Sequence, residues 1–275
     1  MADEPETPES RVLLAPHLSV TQITMYLRCS MQYWFRYIQN VIAPPNLALA
    51  NGKAGHSGLE HDNITKIATG SPAPVADVLD IAVTELTALS SFIPDLNPTD
   101  LDSTKDKLTA TLQVYMAGTG ALGPMPTAAE EEFWMDVPGT DPVLGFIDVQ
   151  NDVGLFDYKF TTRAKTQDAA DMSLQLSVYD IATAHQARNL GFISLLPPTT
   201  RSEPKVIFTT RNTALMAPAL RAHRAARTFV QIQNVSRAIA AKVFTPVDDE
   251  RICSWCGYRQ ACQGLQPTEF PKGME

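Results

Sequence analysis

The first half of the chain repeats its apolar positions every three to four residues. After Ser19, a good helix cap, VTQITMYLRCSMQYWFRYI keeps one apolar stripe at that spacing and predicts a helix with Cys29 near its middle. The break APPN at 43–46 ends it. NGKAGHSGLEHDNITKIA (51–68) predicts a second helix, entered through Gly52 and Gly55. VADVLDIAVTELTAL (75–89) and TKDKLTATLQVYMA (104–117) predict two more, the latter with Leu108 and Leu112 on one face. GTGALGPMPT (118–127) reads as a Gly/Pro loop.

The period then drops to two. EEEFWMDV (130–137), VLGFIDVQN (143–151) and VGLFDYKFT (153–161) predict three strands, the last two joined by a tight turn at Asn151–Asp152. A helix over 168–188, strands at 191–197 and 205–210, and a long helix over about 214–242 complete the series. The fold class that follows is α/β: a central mixed sheet flanked by helices, with a helical insertion over about 71–127. The expected organisation is an unstructured start, 1–17, and one domain over 18–275 that closes on a cysteine-bearing segment at 253–262.

Composition changes this picture only in part. Of 275 residues 44% are hydrophobic, enough for a sizeable core. No apolar run reaches eighteen residues, so no membrane span is expected. The start, MADEPETPES, is acidic and polar where a secretory signal is basic and then apolar, which points to the cytoplasm. A net charge of −8 counts against a protein that coats nucleic acid, but not against an enzyme whose site is built from carboxylates. The stretch from Arg201 to Lys242 is locally basic, with Lys205, Arg211, Arg221, Arg224, Arg227 and Arg237. It suits a surface facing DNA or a solvated helix face equally well.

The sharpest chemical signal is GFID at 145–148 followed by FDYK at 156–159. Asp157 and Lys159 are two apart on a predicted strand, so their side chains share a face. Asp148 lies on the preceding strand of the same hairpin. Two carboxylates there can share a hard divalent cation such as Mg²⁺ or Mn²⁺, which polarises a phosphate and acidifies water. A lysine beside them can stabilise charge developing on the phosphate. A solvated edge hairpin would offer the same D-x-K, but Leu155 and Phe156 argue for burial, and a bare buried carboxylate pair is costly.

The chain has four cysteines: Cys29, Cys253, Cys256 and Cys262. The last three read C-x2-C-x5-C, a spacing that points to a metal and fits zinc as readily as iron. The aromatics Tyr33, Trp34, Phe35, Trp255 and Tyr258 are expected to pack around that site.

GFID…FDYKFTT resembles the G-x-x-D…D-x-K-T core of the PD-(D/E)XK nuclease superfamily, in its RecB-like branch. The likeness extends to LSVTQITMYLRC at 18–29, GKAGHSGL with His56, the acidic run Glu130–Glu132, and QLSVY with Gln175 and Tyr179. It implies a catalytic set of Asp148, Asp157 and Lys159, with Gln175 and Tyr179 lining the site. It further implies metal ligation by His56, Asp148, Asp157 and an acidic residue best matched by Glu131. A far N-terminal cysteine joined to three C-terminal ones resembles the iron–sulfur staple of AddB-type and CRISPR-adaptation nucleases, implying a [4Fe-4S] cluster on Cys29, Cys253, Cys256 and Cys262. The activity implied is a metal-dependent exonuclease on single-stranded DNA or DNA ends. G-x-x-x-x-G-K-[ST] is absent, so a helicase, recombinase or annealing protein would be a separate partner. Two other readings stand beside it: a catalytically silent DNA-end or protein-binding module, and a zinc-stapled regulator that would leave the D-x-K hairpin unexplained.

Overall fold

The computed structural model describes residues 16–119, 125–187, 189–213 and 216–265. The expected unstructured start, apart from Pro16 and His17, and the centre of the 118–127 loop lie outside those residues. Ser19 caps the first helix, α1 (Val20–Arg28), by accepting a hydrogen bond from the Gln22 amide. The expected continuous helix is broken at Cys29, whose backbone is extended (φ −164°, ψ 109°). The chain resumes as α2 (Ser30–Tyr33) and a π-helical turn over Trp34–Ile38.

Asn46, expected only to end the preceding helix, caps the next one, α3 (Leu47–Thr69), which stops at the left-handed Gly70. Gly52 and Gly55 therefore lie inside α3 rather than at its start. A Cβ on Gly55 would stand 2.1 Å from the Phe160 ring, so that position must stay bare for the helix to lie against the strand that carries Phe160. Helices α4 (Val75–Ser90) and α5 (Pro98–Thr119) follow, and their buried Val78, Ala82, Leu86, Leu108 and Leu112 join one core with Leu59 of α3.

The sheet has five strands in the order β1-β2-β3-β4-β5: Pro126–Met135, Val143–Asn151, Leu155–Phe160, Asn189–Leu196 and Lys205–Asn212. β3 is central, antiparallel to β2 and parallel to β4, and β4 is antiparallel to β5. This mixed sheet flanked by helices is the fold class read from the sequence. Central placement explains why Leu155 to Tyr158 are all buried and excludes the edge-hairpin alternative.

The helix expected over 168–188 is two short ones, α6 (Gln167–Asp171) and α7 (Leu174–Ala182), each with its own side-chain cap, Thr166 and Ser173. The long helix α8 runs Pro218–Ala240, and short turns α9 (Glu250–Cys253) and α10 (Arg259–Gly264) carry the last cysteines. The residues group into two compact units. One comprises 1–41, 133–145 and 226–275; the other comprises 42–132 and 146–225. Among the described residues no helix is long and apolar enough to cross a membrane.

Candidate active site

The second unit brings six of the sequence-predicted residues together around the middle of β3. Asp157 is 2% exposed and Asp148, on β2, is 8% exposed. Asp157 Oδ1 accepts a hydrogen bond of 2.5 Å from Gln175 Nε2. Its Oδ2 lies 2.6 Å from Lys159 Nζ, an ion pair without the alignment of a hydrogen bond. Gln175 and Tyr179 are one turn apart on α7 and bonded to each other (2.9 Å), and the Tyr179 hydroxyl donates to the Phe146 carbonyl of β2 (2.8 Å). The α7 helix thus ties itself to both strands of the hairpin.

Tyr158, between the two reactive residues of β3, works through its backbone. Its N–H donates to Asp148 Oδ2 (2.7 Å), and its carbonyl lies 3.0 Å from His56 Nε2. A carbonyl can only accept, so His56 carries its proton on Nε2 when neutral, leaving the Nδ1 lone pair as a ligand. Burial pushes the His56 pKa down and favours that neutral form. Nδ1 lies 3.4 Å from Asp148 Oδ2. On the other side of the strand the Tyr158 hydroxyl meets the Tyr115 hydroxyl (2.8 Å) and the Asn63 amide (3.1 Å), which fixes the residue from α3 and α5.

The carboxylate that completes the group is Glu130, not the Glu131 favoured by spacing. One ligand atom from each of His56, Glu130 and Asp148 lies within 4.8 Å of the others. Glu131 is exposed. The physical reason is a backbone irregularity. Glu130 sits in β1 with φ +47°, a left-handed residue in a strand, so counting alternate positions through it slips by one. Strained backbone of this kind concentrates at functional sites.

The electrostatics are those of a cation site. Burial first, then the neighbouring Asp157 and Glu130 charges, hold the Asp148 carboxyl well above the usual range. Burial and the charges of Glu60 and Asp157 push Glu130 up to about 7. Three acidic groups and a neutral imidazole, with a buried Asp157 oxygen lacking an aligned donor, fit a hard divalent ion.

A model of the PD-(D/E)XK nuclease superfamily matches residues 17–263. The chain belongs to that superfamily. Nucleases of the PD-(D/E)XK superfamily use divalent metals, and the group at His56, Glu130 and Asp148 is where this member could hold one. A search of curated proteins gave no match. A solved structure described as the crystal structure of SSO0001 aligns over 95% of this chain and 92% of its own, at 12% identity and a TM-score of 0.43.

The four cysteines of this PD-(D/E)XK chain belong to the first unit. All four line one cavity with Met31, Phe35 and Tyr258. The Phe35 and Tyr258 rings stack at 5.5 Å, as expected of packing aromatics, whereas Trp255 is 87% exposed and does not pack there. Burial and the other three cysteines push the Cys262 thiol up. Among the described residues, no three cysteine sulfurs fall within 4.8 Å of one another.

Three residues of the basic stretch resolve into structure, while Arg201, Lys205, Arg227, Arg237 and Lys242 are exposed. Arg211 is 3% exposed and donates to the carbonyls of Ala170, Asp171 and Ser173 and to the Ser177 hydroxyl. Arg221 pairs with Asp180, and Arg224 donates to the Asp171 carbonyl. Residue type alone could not distinguish these roles from DNA contact, because their partners are distant in sequence.

Proposed function

We propose that the protein is a divalent-metal-dependent deoxyribonuclease that removes nucleotides from single-stranded DNA or DNA ends. The observation that carries this reading is the convergence of His56 Nδ1 with the Glu130 and Asp148 carboxylates beside the Lys159–Asp157 pair. A divalent cation bound there would polarise the scissile phosphate and lower the pKa of a water molecule. Asp148 and Asp157 place negative oxygens for that cation. Gln175 holds Asp157 in its rotamer, and Tyr179 holds Gln175 to β2. Lys159 puts a positive charge where the phosphate gains negative charge, and that charge is worth most in a site closed to water. DNA as the substrate, exonucleolytic action, a cytoplasmic setting, and work beside a separate helicase, recombinase or annealing protein complete the reading.

For the cysteine cavity we propose a [4Fe-4S] cluster as a structural staple. Four thiols around one cavity support a shared inorganic centre. Four thiolates are a ligand set that zinc and an iron–sulfur cluster share, and the choice of the cluster rests on the likeness of the cysteine arrangement to the iron–sulfur staple.

The test is cleavage of end-labelled single- and double-stranded DNA by anaerobically purified protein with Mg²⁺ or Mn²⁺. Wild type cuts, chelation stops it, and Lys159→Ala loses at least a hundredfold in rate. Cutting by Lys159→Ala at the wild-type rate overturns the assignment.

A further inference from the structure

Immediately beyond Lys159 the chain lines a second cavity, of about 410 Å³, which the metal group does not use. It opens at the carboxyl ends of the parallel pair β3 and β4, through Phe160, Thr161 and Leu195, the position where open α/β sheets take ligands. Its other wall comes from the first turns of α3 and the middle of α5, with Asn51, Thr104, Lys107 and Thr111. The floor is apolar, and the rim offers an amide, four threonines and one exposed ammonium. Its size falls in the range of small-molecule pockets.

Two observations point to an occupant. Asn51 Oδ1 is buried with no hydrogen-bond partner, an arrangement that is unfavourable unless something supplies a donor. Because that oxygen makes no bond, turning the amide toward the cavity sacrifices none on its account. The second is continuity with the metal group. The Phe160 ring lies 5.9 Å from the His56 ring while its residue lines the cavity, so a ligand there is next to anything cut at Asp148.

We infer that this cavity is a subsite for one nucleotide of the strand being cut, adjoining the scissile phosphate. The base lies against Phe160 and the aliphatic floor, Asn51 takes a polar edge, and Lys107 meets a phosphate. The inference rests on the nuclease reading for its strand, though not for its measurement.

The test uses the full chain with chelator present, so that binding is read without cleavage. Binding of a fluorescein-labelled single-stranded oligonucleotide and of deoxynucleoside 5′-monophosphates is compared for wild type, Asn51→Leu and Lys107→Ala. Both variants weaken oligonucleotide binding about tenfold. Lys107→Ala also reduces the slope of log affinity against log salt by about 0.7, one phosphate contact on a single strand. Lys107 is exposed, so its variant folds even should Asn51→Leu not, and circular dichroism checks both. Affinities within twofold of wild type for Lys107→Ala and for folded Asn51→Leu overturn the subsite. If wild type never cuts DNA yet the variants lose binding, the nuclease reading fails and the subsite stands. If wild type cuts and the variants bind normally, the subsite alone fails.

Discussion

Glu130 and Asp148 are held close to each other and to Asp157 in a place water scarcely reaches, and without a cation their negative forms are disfavoured. For Glu130 the folded-state pKa of about 7 lies above its ordinary value, so its contribution to stability is complete below the ordinary range and is lost as pH rises through about 7. Asp148 acts in the same direction. His56, lowered by burial, acts oppositely, with stability present above its ordinary pKa and lost as pH falls through the lowered one. Above pH 7 the imidazole is neutral in both states, and only the carboxylates count. The melting temperature of the chelated protein therefore falls between about pH 6.5 and 8, a window set by the Glu130 value. Added Ca²⁺ removes the fall, and Glu130→Gln shows a shallower one by about 2–4 °C for each kcal/mol of repulsion relieved. Scanning calorimetry at both pH values checks this, and a flat profile for the chelated wild type contradicts it. At this scale most of the site was readable. A strand period of two put Asp157 and Lys159 on one face, and the likeness to a known core supplied His56, Gln175 and Tyr179. Glu130 was not readable as the ligand, since nothing in E-E-E-F tells which glutamate takes the left-handed backbone.

Among the elements, the corner between α6 and α7 decides where Gln175 stands. From β5, Arg211 donates to the carbonyls of Ala170 and Asp171 at the end of α6, to that of Ser173 at the cap of α7, and to the Ser177 hydroxyl. Arg211→Ala removes the guanidinium that joins β5 to this corner, while the carbonyls keep the Ser173 amide, Arg224 and Ser177 as partners, and the cost is about 1–3 kcal/mol in denaturant-measured stability. DNA cleavage falls at least tenfold with it, since α7 loses its seat; cleavage at the wild-type rate by a destabilised but folded variant would show that α7 holds its place without the arginine. The sequence announced this helix pair as one, 168–188, because its apolar period continues through the break. The corner is held in part by an arginine more than thirty residues downstream, invisible to any local pattern. The break at Cys29 escaped for the same reason: the stripe of apolar residues runs on while the backbone turns extended for one residue. The last four strands, by contrast, were close to their observed limits, because alternation and turn residues are local, whereas β1 starts at Pro126, inside the expected loop.

For the molecule as a whole, the first unit gathers both ends of the described chain, and its cysteines are separated by more than two hundred residues of sequence. A centre held by all four would remove about 5 kcal/mol of chain entropy from the unfolded state on a loop-closure account. Cys256→Ser is accordingly expected to lose the iron absorbance near the visible region and to melt at least 10 °C lower. Unchanged iron content and melting in that variant would eliminate the staple. The cysteine spacing pointed to a shared centre and the four thiols line one cavity, whereas the grouping of the chain into two compact units left no mark on composition or period.

The order in which the chain leaves the ribosome acts on that grouping. The second unit, with the whole carboxylate group, is complete once residue 225 has been made. The first unit waits for residues 226–275, and Cys29 meets Cys253, Cys256 and Cys262 only after more than two hundred further residues have been made. A message cut short before codon 253 would thus yield a product with its carboxylates assembled and a solitary N-terminal thiol that nothing downstream can ever join.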